Sequence, residues 1–119
     1  MSESCYCDYD PVTLLSQAKH CAQKLHKCSE CLRAISPGQT YECHRYIFDG
    51  QFHIHKTCER CLAVREYVAA HVPCFCWAYT EMLEAAEETI REYAWQAPGL
   101  FMGYGRLRVA VNRAPKVAA

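Results

Sequence analysis

The chain has 119 residues, a hydrophobic fraction of 51% and a formal net charge of zero. That length suits one compact domain, here taken as residues 1–119, with a modest core, and excludes two ordinary domains. The charge balance excludes a polyanion mimic and gives no global signature of nucleic-acid binding.

In chain order, Met1 to Asp10 is polar and acidic, with neither a basic start nor an apolar run, and reads as no secretory signal. No apolar stretch approaches the roughly 20 residues needed to span a membrane. The expectation is therefore a cytoplasmic protein whose thiols stay reduced. Ten cysteines then read as metal ligands, since about 8–10% cysteine marks a scaffold of metal or disulfides. Disulfides are the alternative, in the case of a secreted fragment. From Pro11 to Leu25, the residues Leu14, Leu15, Ala18, Ala22 and Leu25 fit a helical stripe. An extended lead-in to the first cysteine pair fits as well.

Pro37-Gly38 signals a turn. Thr40 to Phe48, rich in aromatic and β-branched residues, reads as a strand. Asp49-Gly50 suits a type I′ hairpin, and Phe52 to Lys56 returns. In that register Phe48 faces Gln51, Ile47 faces Phe52 and Arg45 faces Ile54, which places Ile47, Phe52 and Ile54 on one apolar face. His44 then faces His55 and Tyr46 faces His53 on the opposite side, expected to be a solvated or interface surface.

Thr57 is a fair N-cap, and Cys58, Cys61, Leu62, Arg65, Val68 and Ala69 recur at helical spacing to about His71, before Pro73. A second helix is expected within 78–96, with a stripe of Leu83, Ala86, Ile90, Tyr93 and Ala94 and Pro98-Gly99 as its terminator. Residues 103–119 read as a basic tail with a short strand over Leu107–Val111 and a frayed end.

Cys28-x-x-Cys31 and Cys58-x-x-Cys61 are separated by 26 residues. Four thiolates suit tetrahedral zinc and close the site to substrate. The first pair would sit on a knuckle. The second would sit in the first turn of a helix, where free N–H groups and the positive dipole end favour thiolate. Knuckle, hairpin and helix in that order predict a small α+β fold, a zinc-stabilised treble-clef-like finger over 26–72 followed by a C-terminal helix and the basic tail. Cys5, Cys7, Cys74 and Cys76 are candidates for a second zinc site, with Asp8, His26 and His71 as substitute ligands. In the alternative, one pair is free and the other packs as small apolar residues. Cys21 and Cys43 read as structural.

His26-Lys27-Cys28-Ser29-Glu30-Cys31, Pro37-Gly38-Gln39-Thr40-Tyr41, Phe48-Asp49-Gly50 and Lys56-Thr57-Cys58-Glu59-Arg60-Cys61 occur in order. Cys5-Tyr6-Cys7-Asp8 and Cys74-Phe75-Cys76-Trp77 flank them. This set, over roughly residues 5 to 77, resembles a family of small uncharacterised Cys-rich zinc-binding proteins of tailed bacteriophages and prophages. The resemblance implies a phage origin and zinc, and supplies no activity. The leading expectation is a non-enzymatic protein-interaction module in a bacterial host cell. Tyr41, Tyr46, Trp77, Tyr79 and Trp95 would anchor it on a host protein or complex, for example defence machinery such as CRISPR, or else fill the core. The alternative is nucleic-acid binding through Arg106, Arg108, Arg113, Lys116 and Tyr104, or a merely solubilising end. A membrane partner, a small-molecule substrate and an enzyme are not expected. No Asp-His dipeptide precedes the hairpin turn, and Val64, Arg65 and Tyr67 stand where a nuclease of the His-Asn-His type needs a helix ligand.

Overall fold

The computed structural model describes residues 12–95 and 97–117. Among them the chain forms β1 (Thr13–Cys21), β2 (His26–Lys27), β3 (Ala34–Ile35), β4 (Thr40–Phe48), β5 (Gln51–Cys58), α1 (Glu59–His71), α2 (Met82–Ala94) and α3 (Pro98–Arg113). One antiparallel sheet runs β1-β4-β5, and β2 pairs with β3 in a second, two-stranded sheet. No described helix is long and apolar enough to cross a membrane.

The hairpin forms as expected. Asp49 and Gly50 take φ of 52° and 77°, and the pairs Phe48–Gln51, Ile47–Phe52, Arg45–Ile54, Tyr46–His53 and His44–His55 all stand opposite one another. Which face turns inward is a surprise. Glu42, His44, Tyr46, His55 and Thr57 are buried, while Arg45, Ile47, Phe52 and Ile54 are exposed. The histidine face is therefore an interior and not the solvated surface expected, because its polar groups find partners on other elements.

Residues 13–21 form a strand, so the helical reading of Pro11–Leu25 gives way to the extended one. Pairing with β4 satisfies the strand's backbone on one side, an interaction that local periodicity cannot register. A bulge between Leu14 and Ser16 interrupts the register.

The helices share one core with the cysteine-bearing elements. Cys61, Leu62, Val64 and Val68 of α1, Met82, Ala86 and Ile90 of α2, and Tyr104 and Val111 of α3 are buried together. The segment read as a basic tail with a strand at Leu107–Val111 is α3 instead. α2 ends at Ala94, ahead of Pro98-Gly99, and Pro98 also starts α3, where a missing N–H costs nothing. Gly103 lets α3 approach α1 closely: a Cβ there would lie 2.8 Å from Tyr67 Cζ. Beyond α3 the chain returns to the cysteine-bearing segment. Pro115 O accepts from Ala34 N–H at 2.8 Å and Ala114 O from Arg33 Nη1 at 3.0 Å.

Candidate metal centre

Cys28 and Cys31 lie on the tight loop between β2 and β3. Cys28 N–H donates to Arg33 O at 2.9 Å, and Leu32 N–H to Cys28 O at 3.0 Å. Closing so short a loop forces Leu32 into the left-handed region, φ 62°. Cys58 ends β5 and is the N-cap of α1, its sulfur accepting from Cys61 N–H at 3.5 Å. Cys58 N–H in turn donates to Cys28 Sγ at 3.4 Å. The helix dipole and these N–H groups stabilise sulfur anions where the four side chains meet.

The four sulfurs lie within 4.8 Å of one another. Cys28 to Cys61 and Cys31 to Cys58 both span 3.8 Å. Sulfurs about 2.3 Å from a tetrahedral ion are separated by about 3.8 Å, so the spacing fits a metal and is far beyond the roughly 2.05 Å of a disulfide. Cys28, Cys58 and Cys61 are buried and Cys31 is half-buried. Acidity is split across the cluster. The thiols of Cys31, Cys58 and Cys61, hydrogen-bonding to Cys28, drive it far below the ordinary thiol range. Cys31, held up by Cys28 but lowered by Cys58 and Cys61, titrates at about 7. The Cys28 anion pushes Cys58 and Cys61 upward. Ionising all four together would call for a cation among them, and a metal held there would contribute folding free energy.

The second proposed set is divided. Cys5 and Cys7, with Asp8, lie outside the described residues. Cys74 and Cys76 bring their sulfurs to 3.6 Å. Of the substitute ligands, His26 Nδ1 sits 3.0 Å from Lys56 Nζ and His71 Nδ1 2.8 Å from Tyr67 O. Cys43 is buried and Cys21 exposed.

Beside the cluster lies a buried polar network that sequence reasoning missed. Glu30, in the loop between Cys28 and Cys31, accepts from Thr80 N–H at 2.8 Å and Met82 N–H at 3.1 Å. Glu81, the N-cap of α2, makes no side-chain cap bond, so Glu30 caps this helix from another part of the chain. Thr80 has φ 73°, a strained value for a β-branched residue. Glu30 Oε2 also lies 2.9 Å from His55 Nε2, and Glu42 Oε1 2.8 Å from His44 Nε2. Neither histidine Nε2 makes a hydrogen bond to its neighbouring carboxylate. Arg65 grips Glu42 with two hydrogen bonds, 2.9 and 3.1 Å. Burial raises the Glu42 carboxyl, yet the Arg65 bonds and charge outweigh it and the net shift is downward. His44 is lowered, chiefly by burial, and its Nδ1 shares a 2.8 Å hydrogen bond with Tyr79 OH. The one available signal was the parity of Glu42 with His44 and Tyr46 along β4.

A cavity of about 530 Å³ opens between this face and the linker after α1, lined by His44, Tyr46, His53, Trp77, Tyr79 and Glu81 among others. Of the five expected aromatic anchors, Tyr41 and Tyr46 are interior, Trp77 and Tyr79 half-buried, and Trp95 is 78% exposed. Comparison with protein-family models, curated proteins and solved structures finds no match.

Proposed function

We propose that the chain is a non-enzymatic protein-interaction module, held in a treble-clef arrangement by zinc at Cys28, Cys31, Cys58 and Cys61. The observation that supports it best is the closure of the four-sulfur group. Four protein ligands leave a tetrahedral metal no position for substrate or water, so its contribution is architectural. The resemblance to phage proteins points to a bacterial host protein as target, with a defence complex such as CRISPR machinery one partner of this kind. The test is elemental analysis of purified protein together with circular dichroism before and after a strong chelator. One zinc per chain and unfolding on its removal are expected. A fully folded, zinc-free chain refutes the reading.

Nucleic-acid binding is the second reading, favoured by Arg106, Arg113 and Lys116, which are exposed on α3 and beyond it. Tyr104 is 2% exposed and Arg108 is engaged with Tyr104 at 2.9 Å, so neither is open to a base or phosphate. Binding to DNA or RNA that weakens steeply with salt, and is lost when those three cations become alanine, would favour this reading.

A further inference from the structure

A half-exposed antiparallel sheet ordinarily turns its apolar face inward. Here the inner face is committed to polar pairs, Glu42 with Arg65, His44 with Tyr79 and His55 with Glu30. Ile47, Phe52 and Ile54 are left outside, the last two 56% and 48% exposed. A flip of the sheet would bury the apolar trio but strand two carboxylates and their partners, so the sheet cannot cover this patch itself.

The charges around the patch specify what covers it. Arg45 stands opposite Ile54 and beside Ile47, and Lys56, half-buried with its Nζ 3.0 Å from His26 Nδ1, follows Ile54 on the same face. Neither β4 nor β5 places an acidic side chain on that face. Of the acids between residues 12 and 58, Glu30 and Glu42 are engaged inside, which leaves Asp49 at the hairpin tip. A second copy of the chain fits poorly, because twofold packing would set Arg45 near its own equivalent. The exposed residues at the N-cap and along α2, Glu81, Glu84, Glu88, Arg91 and Glu92, are charged and bring no apolar stripe. A nucleic-acid strand fits less well, since Phe52 is the single ring of the trio and Ile47 and Ile54 offer none on which successive bases could stack.

We propose that the outer face of β4 and β5, centred on Ile47, Phe52 and Ile54 and flanked by Arg45 and Lys56, docks an amphipathic partner segment with an apolar stripe edged by carboxylates. This rests on the interaction reading above and names the partner's chemistry. Apolar contact supplies the affinity, and the two cations supply orientation and encounter rate.

The test titrates the zinc-loaded protein with three fluorescent probes. These are a helical peptide with a leucine stripe flanked by glutamates, the same stripe flanked by lysines, and an oligo-thymidine strand. The glutamate peptide should bind at least ~10-fold more tightly than the lysine peptide. Phe52→Asp with Ile54→Asp should weaken it at least ~10-fold, and Arg45→Glu should erase the preference. Both apolar sites are exposed, so unchanged zinc content and circular dichroism are expected of the variants. Equal binding of the two peptides overturns the proposal, as does tighter binding of the oligonucleotide, or a protein dimer dissolved by Phe52→Asp. Should the glutamate peptide bind but protect α3 rather than β4 and β5 in hydrogen exchange, this site is wrong while the interaction reading stands. If neither peptide binds, the proposed site falls, and the interaction reading is then judged separately by its zinc and folding test.

Discussion

Replacing Glu30 by alanine tests whether the loop that carries Cys28 and Cys31 also holds α2 in place. The Glu30 side chain is 1% exposed and accepts from two backbone N–H groups at the start of α2. Thr80 is exposed, so its N–H would regain water. Met82 is 1% exposed, so its N–H would be orphaned at about 1–3 kcal/mol. His55, 3% exposed, loses the carboxylate beside its ring, and α2 loses a negative charge at its positive end, worth about 0.3–1 kcal/mol. Together these give about 3 kcal/mol, or a fall of about 10 °C in Tm for a chain of this size. The assay is calorimetry at saturating zinc, with zinc per chain measured on each variant so that lost metal is not mistaken for a lost cap. A double-mutant cycle with His55→Ala should show a coupling of at least ~0.5 kcal/mol. A drop of less than about 3 °C at unchanged zinc content would refute the cap.

Cys61→Ser should remove metal and fold together, since structural zinc contributes about 10–16 kcal/mol against a total stability of about 5–15 kcal/mol. A folded, zinc-loaded serine variant by elemental analysis and circular dichroism would contradict this. Gly103→Ala drives a methyl into Tyr67 and disturbs the 3.0 Å bond from Tyr67 OH to Leu100 O, costing about 1–3 kcal/mol by urea denaturation. The cost should shrink in a Tyr67→Phe background, and an equal cost there would show that the ring is not the obstacle. His44, faced by Glu42, Arg65, His55 and Tyr79, has its folded pKa below the unfolded value of 6.5. The unfolded chain therefore binds more protons between those two values, and stability is full above pH 6.5 and declines as pH falls below it. At saturating zinc, His44→Gln should flatten the fall in Tm between about pH 7 and pH 6, and an identical slope in both proteins would count against the assignment.

The cysteine set and the hairpin were legible because each rests on short-range information. Spacing alone paired Cys28 with Cys31 and Cys58 with Cys61, and Asp49-Gly50 alone set the register from Phe48–Gln51 to His44–His55. The facing of the sheet was not legible. Alternation divides β4 into two faces without saying which is inside, and the deciding partners, Arg65, Tyr79 and Glu30, lie on other elements. The third helix was hidden for another reason. Gly99, Gly103 and Gly105 depress helix propensity over 98–113, and packing of Tyr104 and Val111 against α1 and α2 overrides it. β1 was ambiguous because its hydrophobic spacing serves a helix as well as a strand, and only β4 resolves it.

The return of residues 114–116 to the loop that carries Cys28 and Cys31 ties two remote stretches together. Arg33 and Ala34 each bond to the segment after α3, and Arg33 bridges Lys116. That contact closes a circuit of about 80 residues, whose chain entropy must be overcome before the knuckle is complete. Loss of a metal held by the four cysteines would therefore also free the end of α3, which lies outside the ligand set. Chelation should speed amide exchange at Ala34 and raise the susceptibility of residues 113–116 to protease in the same step.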